Sequence, residues 1–344
     1  MTGGGMRSRG PRACALLRAA GRFVSPPGAR ARLLILIYHR VLPAADPLQP
    51  GEVTVDAFGW QMETVARCVR ILPLGEAVER LREGTLPARA AAITFDDGYA
   101  DNHELALPVL DRLGLPATFF VTTGRLGRWM WNDAVIEAVR AARRPVDAGP
   151  LNLGRLGVSG AAERLATLRR ILGTLKEMPR EPRDAEVARL VEQTGAALPE
   201  GLMMCPGQLR ALCAAGMELG AHTVRHPILA HTNLEEARAE IADSRAALEE
   251  IVNAPVRLFA YPNGRPGIDY TTEHVRLVEE LGFRGAVSTQ WGANRTGRAD
   301  PYQLRRFTPW DVSPDRFAAR LLAQCVRRSA RPDGMASPVA GQGA

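Results

Sequence analysis

Short apolar runs alternate with amphipathic stretches along most of the chain. Runs at 33–38, 68–72, 91–95, 117–122, 217–221, 256–261, 283–288 and 304–308 have the length and composition of strands. Helical patterns predict helices over 56–66, 74–83, 102–113, 234–252, 271–281 and 313–325. Repeated strand–helix alternation predicts an α/β fold, a mostly parallel sheet covered by helices. Some eight strands over this length favour closure into a barrel.

One segment breaks the rhythm. From about Trp129 to Glu200 the chain is rich in Arg, Ala, Leu and Glu, is interrupted at Pro179, Pro182 and Pro199, and offers no strand pattern. It predicts a helical insertion on one face of the barrel, where insertions can roof a binding site. The expected organisation is a basic, disordered leader over 1–30, one domain over 31–326 with its insertion at about 129–200, and a Gly/Pro/Ala/Ser-rich disordered tail over 327–344.

Charge changes this picture only once it is located. The 344 residues carry a net charge of +7, but residues 1–40 hold eight arginines and no acid, leaving 36 basic against 37 acidic residues elsewhere. A neutral body argues against nucleic acid as a partner, which would want a basic face on the fold itself. The leader is the candidate for contact with an acidic membrane surface. Its apolar stretch at 13–20 is broken by Arg18 and is short for a secretory signal. No apolar run reaches the roughly 18–20 residues of a membrane helix. The expected compartment is the cytoplasm or its membrane face, with the cell envelope as the alternative. Five scattered cysteines, an odd number without C-x-x-C spacing, point to buried apolar fillers rather than a disulfide framework or a thiolate zinc site.

Two segments carry candidate chemistry. Ala91-Ala92-Ile93-Thr94-Phe95-Asp96-Asp97-Gly98 runs an apolar strand straight into two carboxylates and a glycine. Active sites of parallel α/β folds lie at that end of a strand, and adjacent positions aim differently, so Asp96 and Asp97 can take different tasks. Asp-Gly also suits a turn or a helix cap. His222-Thr223-Val224-Arg225-His226 places two of the six histidines four apart, just after a predicted strand. On a helical turn that spacing brings both imidazoles within reach of one metal. Two histidines and one aspartate form a zinc set with a position open for water, and the other aspartate can take a proton from that water.

These two segments resemble the first two motifs of the polysaccharide deacetylase family (carbohydrate esterase family 4, the NodB homology domain). The resemblance covers roughly residues 33–310, weakly in the insertion. It implies a deformed (β/α) barrel of the NodB type and a divalent metal, usually zinc, with Asp97, His222 and His226 as ligands and Asp96 as general base. Phe259-Ala260-Tyr261-Pro262-Asn263-Gly264 resembles the third motif, which implies that the Tyr261 amide helps hold an oxyanion. That motif usually carries an arginine where this chain has Ala260, and Arg305 and Arg306 are the candidates to replace it. No histidine follows His274 to serve as the family's usual general acid. Ile37-Tyr38-His39-Arg40-Val41 instead resembles a permuted branch close to the poly-N-acetylglucosamine deacetylases, which implies that His39 is the acid.

Trp131, Tyr261 and Arg306 are the expected substrate contacts. Trp129, Trp291 and Trp310 are further rings that suit either a sugar face or the core. His103, His231 and His274 are read as surface or packing residues. The resemblance thus implies removal of acetyl from an N-acetylated sugar of the chitooligosaccharide or poly-N-acetylglucosamine type. An O-acetyl esterase on the same scaffold is the alternative, and the missing third-motif arginine keeps open a non-catalytic glycan-binding module.

Overall fold

The computed structural model describes residues 25–326. Each of the eight expected strand regions holds a strand, and a two-residue strand, too short to leave a periodic signal, joins them. In chain order they are β1 (Arg32–Tyr38), β2 (Arg70–Ile71), β3 (Ala90–Phe95), β4 (Thr118–Val121), β5 (Glu218–Ala221), β6 (Leu258–Ala260), β7 (Gly285–Trp291), β8 (Asn294–Arg295) and β9 (Leu304–Arg306). The sheet runs β8-β1-β3-β4-β5-β6-β7-β9, with β2 beside the start of β3. Only β8 is antiparallel to its neighbour. Just past β9, the Phe307 amide donates to Ile35 O at 2.9 Å and Ile37 N to Phe307 O at 3.1 Å. The last strand thereby reaches the first, and the sheet curls into the expected barrel.

The composition of the strands explains the closure. β1 is buried on both faces from Leu33 to Tyr38, as a parallel strand covered inside and out must be. Leu33 and Ile35 join Ala90, Ala92, Leu258, Ala260 and Leu304 in one buried cluster, together with Leu74, Ala77, Val78 and Leu81 of helix α2 (Leu74–Glu83). The intervening residues Leu34, Leu36, Ile93 and Phe95 belong to a larger cluster under α1 (Val55–Cys68) and the later helices. Alanines on the first face leave room for the α2 side chains.

Register sets where functional side chains emerge. Tyr38 pairs with Phe95, Val121 with Ala221, Phe259 with Ala221, and Ala260 with Val287. His39, Asp96 and His222 therefore leave neighbouring strands at one level of the barrel rim. The Asp96 amide still donates to Tyr38 O at 2.9 Å, and the His222 amide to Val121 O at 3.2 Å.

Several local expectations are corrected. The helix expected over 102–113 opens as a wide π-type turn, Asn102–Ala106, before α3 (Leu107–Leu113). Pro108 has no N–H for the preceding turn, so regular bonding cannot extend through it. The insertion folds as α4 (Trp131–Ala141), α5 (Ala161–Lys176) and α6 (Arg180–Thr194) around a separate apolar core containing Val135, Val139, Leu168, Ile171 and Leu190. It also holds a small antiparallel ribbon, Val146–Ala148 with Gly154–Leu156, whose three-residue strands are too short to show as a pattern. A further helix, α7 (Pro206–Ala214), precedes β5, and α8 (Leu234–Val252) follows it.

Residues 25–30, expected in a disordered leader, are docked: Ser25 is buried and accepts from the Arg32 amide, and the Gly28 amide donates to Leu86 O. Residues 1–24 and the tail at 327–344 lie outside the described residues. Cys68, expected as an apolar filler, is buried and disulfide-bonded, a pairing that sequence spacing does not encode. No helix among the described residues is long and apolar enough to cross a membrane.

Candidate active site

β3 delivers both aspartates. The strand's alternation continues from Ala92 through Thr94 to Asp96, so Asp96 points to the side that Leu304 and Arg306 share across the barrel. Arg306 Nη1 and Nη2 donate to the two Asp96 oxygens at 2.7 and 2.6 Å. Arg306 is itself fixed, with Nε on Ser288 O at 2.9 Å and Nη1 also near Thr94 Oγ1. Burial alone would raise the Asp96 pKa, but the Arg306 charge, then that of His222, hold the carboxyl below its usual range.

At Asp97 the chain turns sharply. Its φ is +74° and that of Gly98 is +91°, so the strand ends and the Asp97 side chain leaves in a different direction from Asp96. Nε2 of His222 and Nε2 of His226 each lie 3.4 Å from Asp97 Oδ1. The three residues present one donor atom each, all within 4.8 Å of one another.

The loop bearing the histidines is held in a conformation that is costly for its sequence. Thr223 and His226 have φ of +62° and +58°, the left-handed region that a β-branched residue seldom enters. The Thr223 hydroxyl offsets part of that strain: it donates to His222 O at 2.6 Å and accepts from the His226 amide at 3.0 Å. Glu240 of α8 accepts from the amides of Val224 and Arg225 at 2.9 and 2.8 Å and pairs with the Arg225 side chain. On the other side the Gly124 amide donates to Val224 O at 2.7 Å, an approach so close that a Cβ at Gly124 would lie 2.6 Å from that oxygen.

This donor set fits a divalent metal. His222 Nδ1 lies 2.8 Å from Ala260 O; donation there fixes the tautomer and leaves Nε2 with its lone pair toward Asp97 and His226. Burial pushes His226 down to about 4, so it is neutral near pH 7, as a ligand must be. For His222 burial acts the same way, but the hydrogen bond to Asp97 and the charges of both aspartates outweigh it and raise its pKa. The same histidines hold Asp97 well below the ordinary carboxylate range against the effect of burial.

His39 completes the group. It follows β1 at the rim, its carbonyl accepts from Asn102 Nδ2 at 2.8 Å, and it lines a cavity of about 200 Å³ together with Asp97, Tyr99 and Asn132. Helix α5 supplies much of the opposite lining, through Leu165, Leu168 and Lys176 among others. The insertion thus forms a wall of the cleft over the rim.

The structure therefore brings Asp96, Asp97, His222, His226 and His39 together, and corrects three other assignments. Arg306 was expected to contact substrate, but it is fully buried and its guanidinium is occupied by Asp96 and Ser288. It instead provides the arginine missing at Ala260, leaving Arg305 to the outer side. The Tyr261 amide, expected to face an oxyanion, donates to Val287 O at 3.2 Å within the sheet. The Tyr261 side chain stacks on Tyr270 at 3.8 Å between centroids and donates its hydroxyl to Tyr302 O, so it offers no substrate contact either. Trp131 is buried in the insertion core with the Arg183 guanidinium over its ring, and Trp291 stacks on Trp310.

Glu240 and Ser288 support the site from outside the sequence motifs. Glu240 had a readable signal: it shares the helical spacing of Ala237, Ile241, Ser244 and Leu248, an acid on an otherwise buried face. Ser288 acts through its carbonyl, which no side-chain pattern reveals.

Comparison with known proteins agrees with this geometry. The family profile described as Polysaccharide deacetylase matches residues 83–286. YxkH of Bacillus subtilis (strain 168) is 21% identical over 264 residues, covering 76% of this chain; the match spans 66% of the length of that curated relative. Among solved structures, the Streptococcus pyogenes deacetylase PplD, in complex with acetate, superposes with a TM-score of 0.57 at 20% identity, covering 86% of this chain and 99% of that one. IcaB from Ammonifex degensii gives 0.56 at 21% identity, covering 88% and 99%. At these identities the structural likeness concerns the fold.

Proposed function

The chain belongs to the polysaccharide deacetylase family, and from that premise we propose that it hydrolyses the acetamide of an N-acetylated sugar within an oligo- or polysaccharide, of the chitooligosaccharide or poly-N-acetylglucosamine type. A divalent metal, zinc by the nature of the donors, would be held by Asp97, His222 and His226. When bound, such a metal supplies Lewis acidity toward the acyl oxygen and the hydrolytic water.

The observation that carries this reading is the second aspartate. Asp96 stands beside the three-donor cluster, ionised and clamped by a buried arginine rather than turned toward the histidines. A carboxylate has about four lone-pair sites, so two hydrogen bonds from Arg306 leave capacity for one more proton donor. Asp96 Oδ accepts the proton of the attacking water while Arg306 keeps its oxygens in place. His39, on the neighbouring strand end, donates a proton to the departing sugar nitrogen, which cannot leave as an amide anion. The α5 wall limits bulk water around the acyl group and orients the sugar chain.

Purified protein incubated with N-acetylglucosamine oligomers, with chelator and with zinc restored, tests the proposal. Acetate release that chelator abolishes and zinc recovers supports it. Stoichiometric zinc binding without acetate release excludes this substrate class.

A further inference from the structure

The cleft beside His39 and Asp97 continues along α5, and that wall is basic. Arg169 and Lys176 both line it. They stand seven residues apart on one helix, roughly 10 Å along its axis and on the same face. Among the described residues neither side chain makes a hydrogen bond or an ion pair. Two acids act on Lys176 through space, Asp269 and then Glu177; the Asp269 carboxylate is occupied by the amide, Nε and Nη2 of Arg265 at 2.8, 2.8 and 2.7 Å. Of the other charged groups of the lining, Arg40 pairs with Asp101, Asp97 faces the histidines, and Glu52 accepts from the Arg40 amide and lies beside the charges of His39 and Arg40.

A second observation points the same way. Gly173 lies on the cleft between the two cations, in the last turn of α5. Glycine there is less stable than alanine, and nothing in the fold requires it: a Cβ at Gly173 would meet no atom within 4 Å. The glycine keeps open the space between Arg169 and Lys176. Leu165, Leu168 and Leu172 supply an apolar surface beside that space.

We propose that this cleft selects an acetylated glycan bearing an anionic group, phosphate or carboxylate, next to the residue that is deacetylated, with Arg169 and Lys176 as its counter-charges. The inference rests on the deacetylase reading of the site and adds the substrate class. Burial pushes the Lys176 ammonium down from its ordinary range, and an anion beside it relieves that effect.

The test uses the zinc-loaded full chain and three oligosaccharides: neutral N-acetylglucosamine oligomers, oligomers alternating N-acetylglucosamine with glucuronate, and N-acetylglucosamine oligomers ending in a 1-phosphate. At low salt, kcat/KM is expected to be about 10-fold or more higher on at least one anionic substrate than on the neutral one, and the better of the two identifies the anion. The double variant Arg169→Gln, Lys176→Met loses that advantage, its kcat/KM falling about 10-fold or more further on the anionic substrate than on the neutral one. Gly173→Leu raises KM for the anionic substrate without lowering the melting temperature. Equal kcat/KM on all three substrates, or equal losses on all three in the double variant, overturns the proposal.

If no substrate releases acetate, the deacetylase reading fails, and equilibrium binding of the same oligosaccharides decides charge selection separately. Tighter binding of an anionic oligomer to wild type but not to the double variant upholds selection. Indifferent binding rejects it.

Discussion

Arg306 grips Asp96 through two parallel hydrogen bonds of 2.7 and 2.6 Å, across a barrel interior where both side chains are almost wholly withdrawn from water. Such a pair is fixed geometrically, but it is fragile to the loss of one partner, because the remaining charge stays buried. Arg306→Met is expected to cost roughly 3–5 kcal/mol of stability. Without the arginine, burial raises the Asp96 pKa, so the acid limb of the pH–rate profile moves to higher pH. Denaturant titration and pH–rate profiles of the variant check both effects. An unchanged profile would remove Arg306 from any role in setting the state of Asp96.

His39 is expected to matter in proportion to the difficulty of the leaving group. An amide nitrogen must be protonated to depart, whereas an ester oxygen needs less help. His39→Ala should lower kcat on an N-acetylated oligomer by about 10²–10⁴-fold. Its effect on an O-acetylated sugar should be much smaller. Parallel kinetics on the two substrates give the answer; equal losses would place His39 in binding or folding instead.

Thr223 holds the histidine loop from within, through bonds to His222 O and the His226 amide. Thr223→Val keeps the shape but leaves those groups without their partner, at about 1–3 kcal/mol. Because this residue orients both candidate ligands, zinc affinity should fall by roughly 10–100-fold. Competitive chelator titration measures the affinity. A variant that loses stability but binds zinc as wild type does would assign Thr223 to folding alone.

Asp133 makes the pH dependence of folding testable away from the histidines. It is buried, accepts from the Met130 amide and the Tyr99 hydroxyl, and burial raises its pKa from 3.8 to about 7. The unfolded chain gives up this proton near 3.8 while the folded protein keeps it. The contribution of this group to stability therefore falls as pH rises from about 4 toward 7, and no further above that. Asp133→Asn does not titrate, so its stability relative to wild type should climb through that window and level off. Denaturation curves across the range decide it; a flat difference would mean that Asp133 is ionised in the fold.

Much of this molecule can be read in its residues, for identifiable reasons. β1 and β3 announce themselves because a strand buried on both faces must be continuously apolar, and the carboxylates of Asp96 and Asp97 follow directly from such a run. The His222–His226 spacing survives as a site, although a strained left-handed loop rather than a helical turn brings the rings together. What depends on contacts remote in sequence was harder to see. The Asp96–Arg306 pair spans 210 positions, and the exhaustion of the Tyr261 amide depends on its register with Val287. Trp131 packs in the core of a small helical insertion, where an aromatic ring looks the same in sequence as one that faces a sugar.

The most direct test of the account compares Asp96→Asn and His222→Ala with wild type, measuring bound zinc and acetate release on the same preparations. The account predicts that Asp96→Asn retains zinc at the wild-type level and loses about 10²–10⁴-fold in rate, the range for removal of a general base. His222→Ala loses both metal and activity. An Asp96→Asn protein that binds zinc and releases acetate at the wild-type rate would contradict the assignment of Asp96, and with it the division of labour between the two adjacent aspartates.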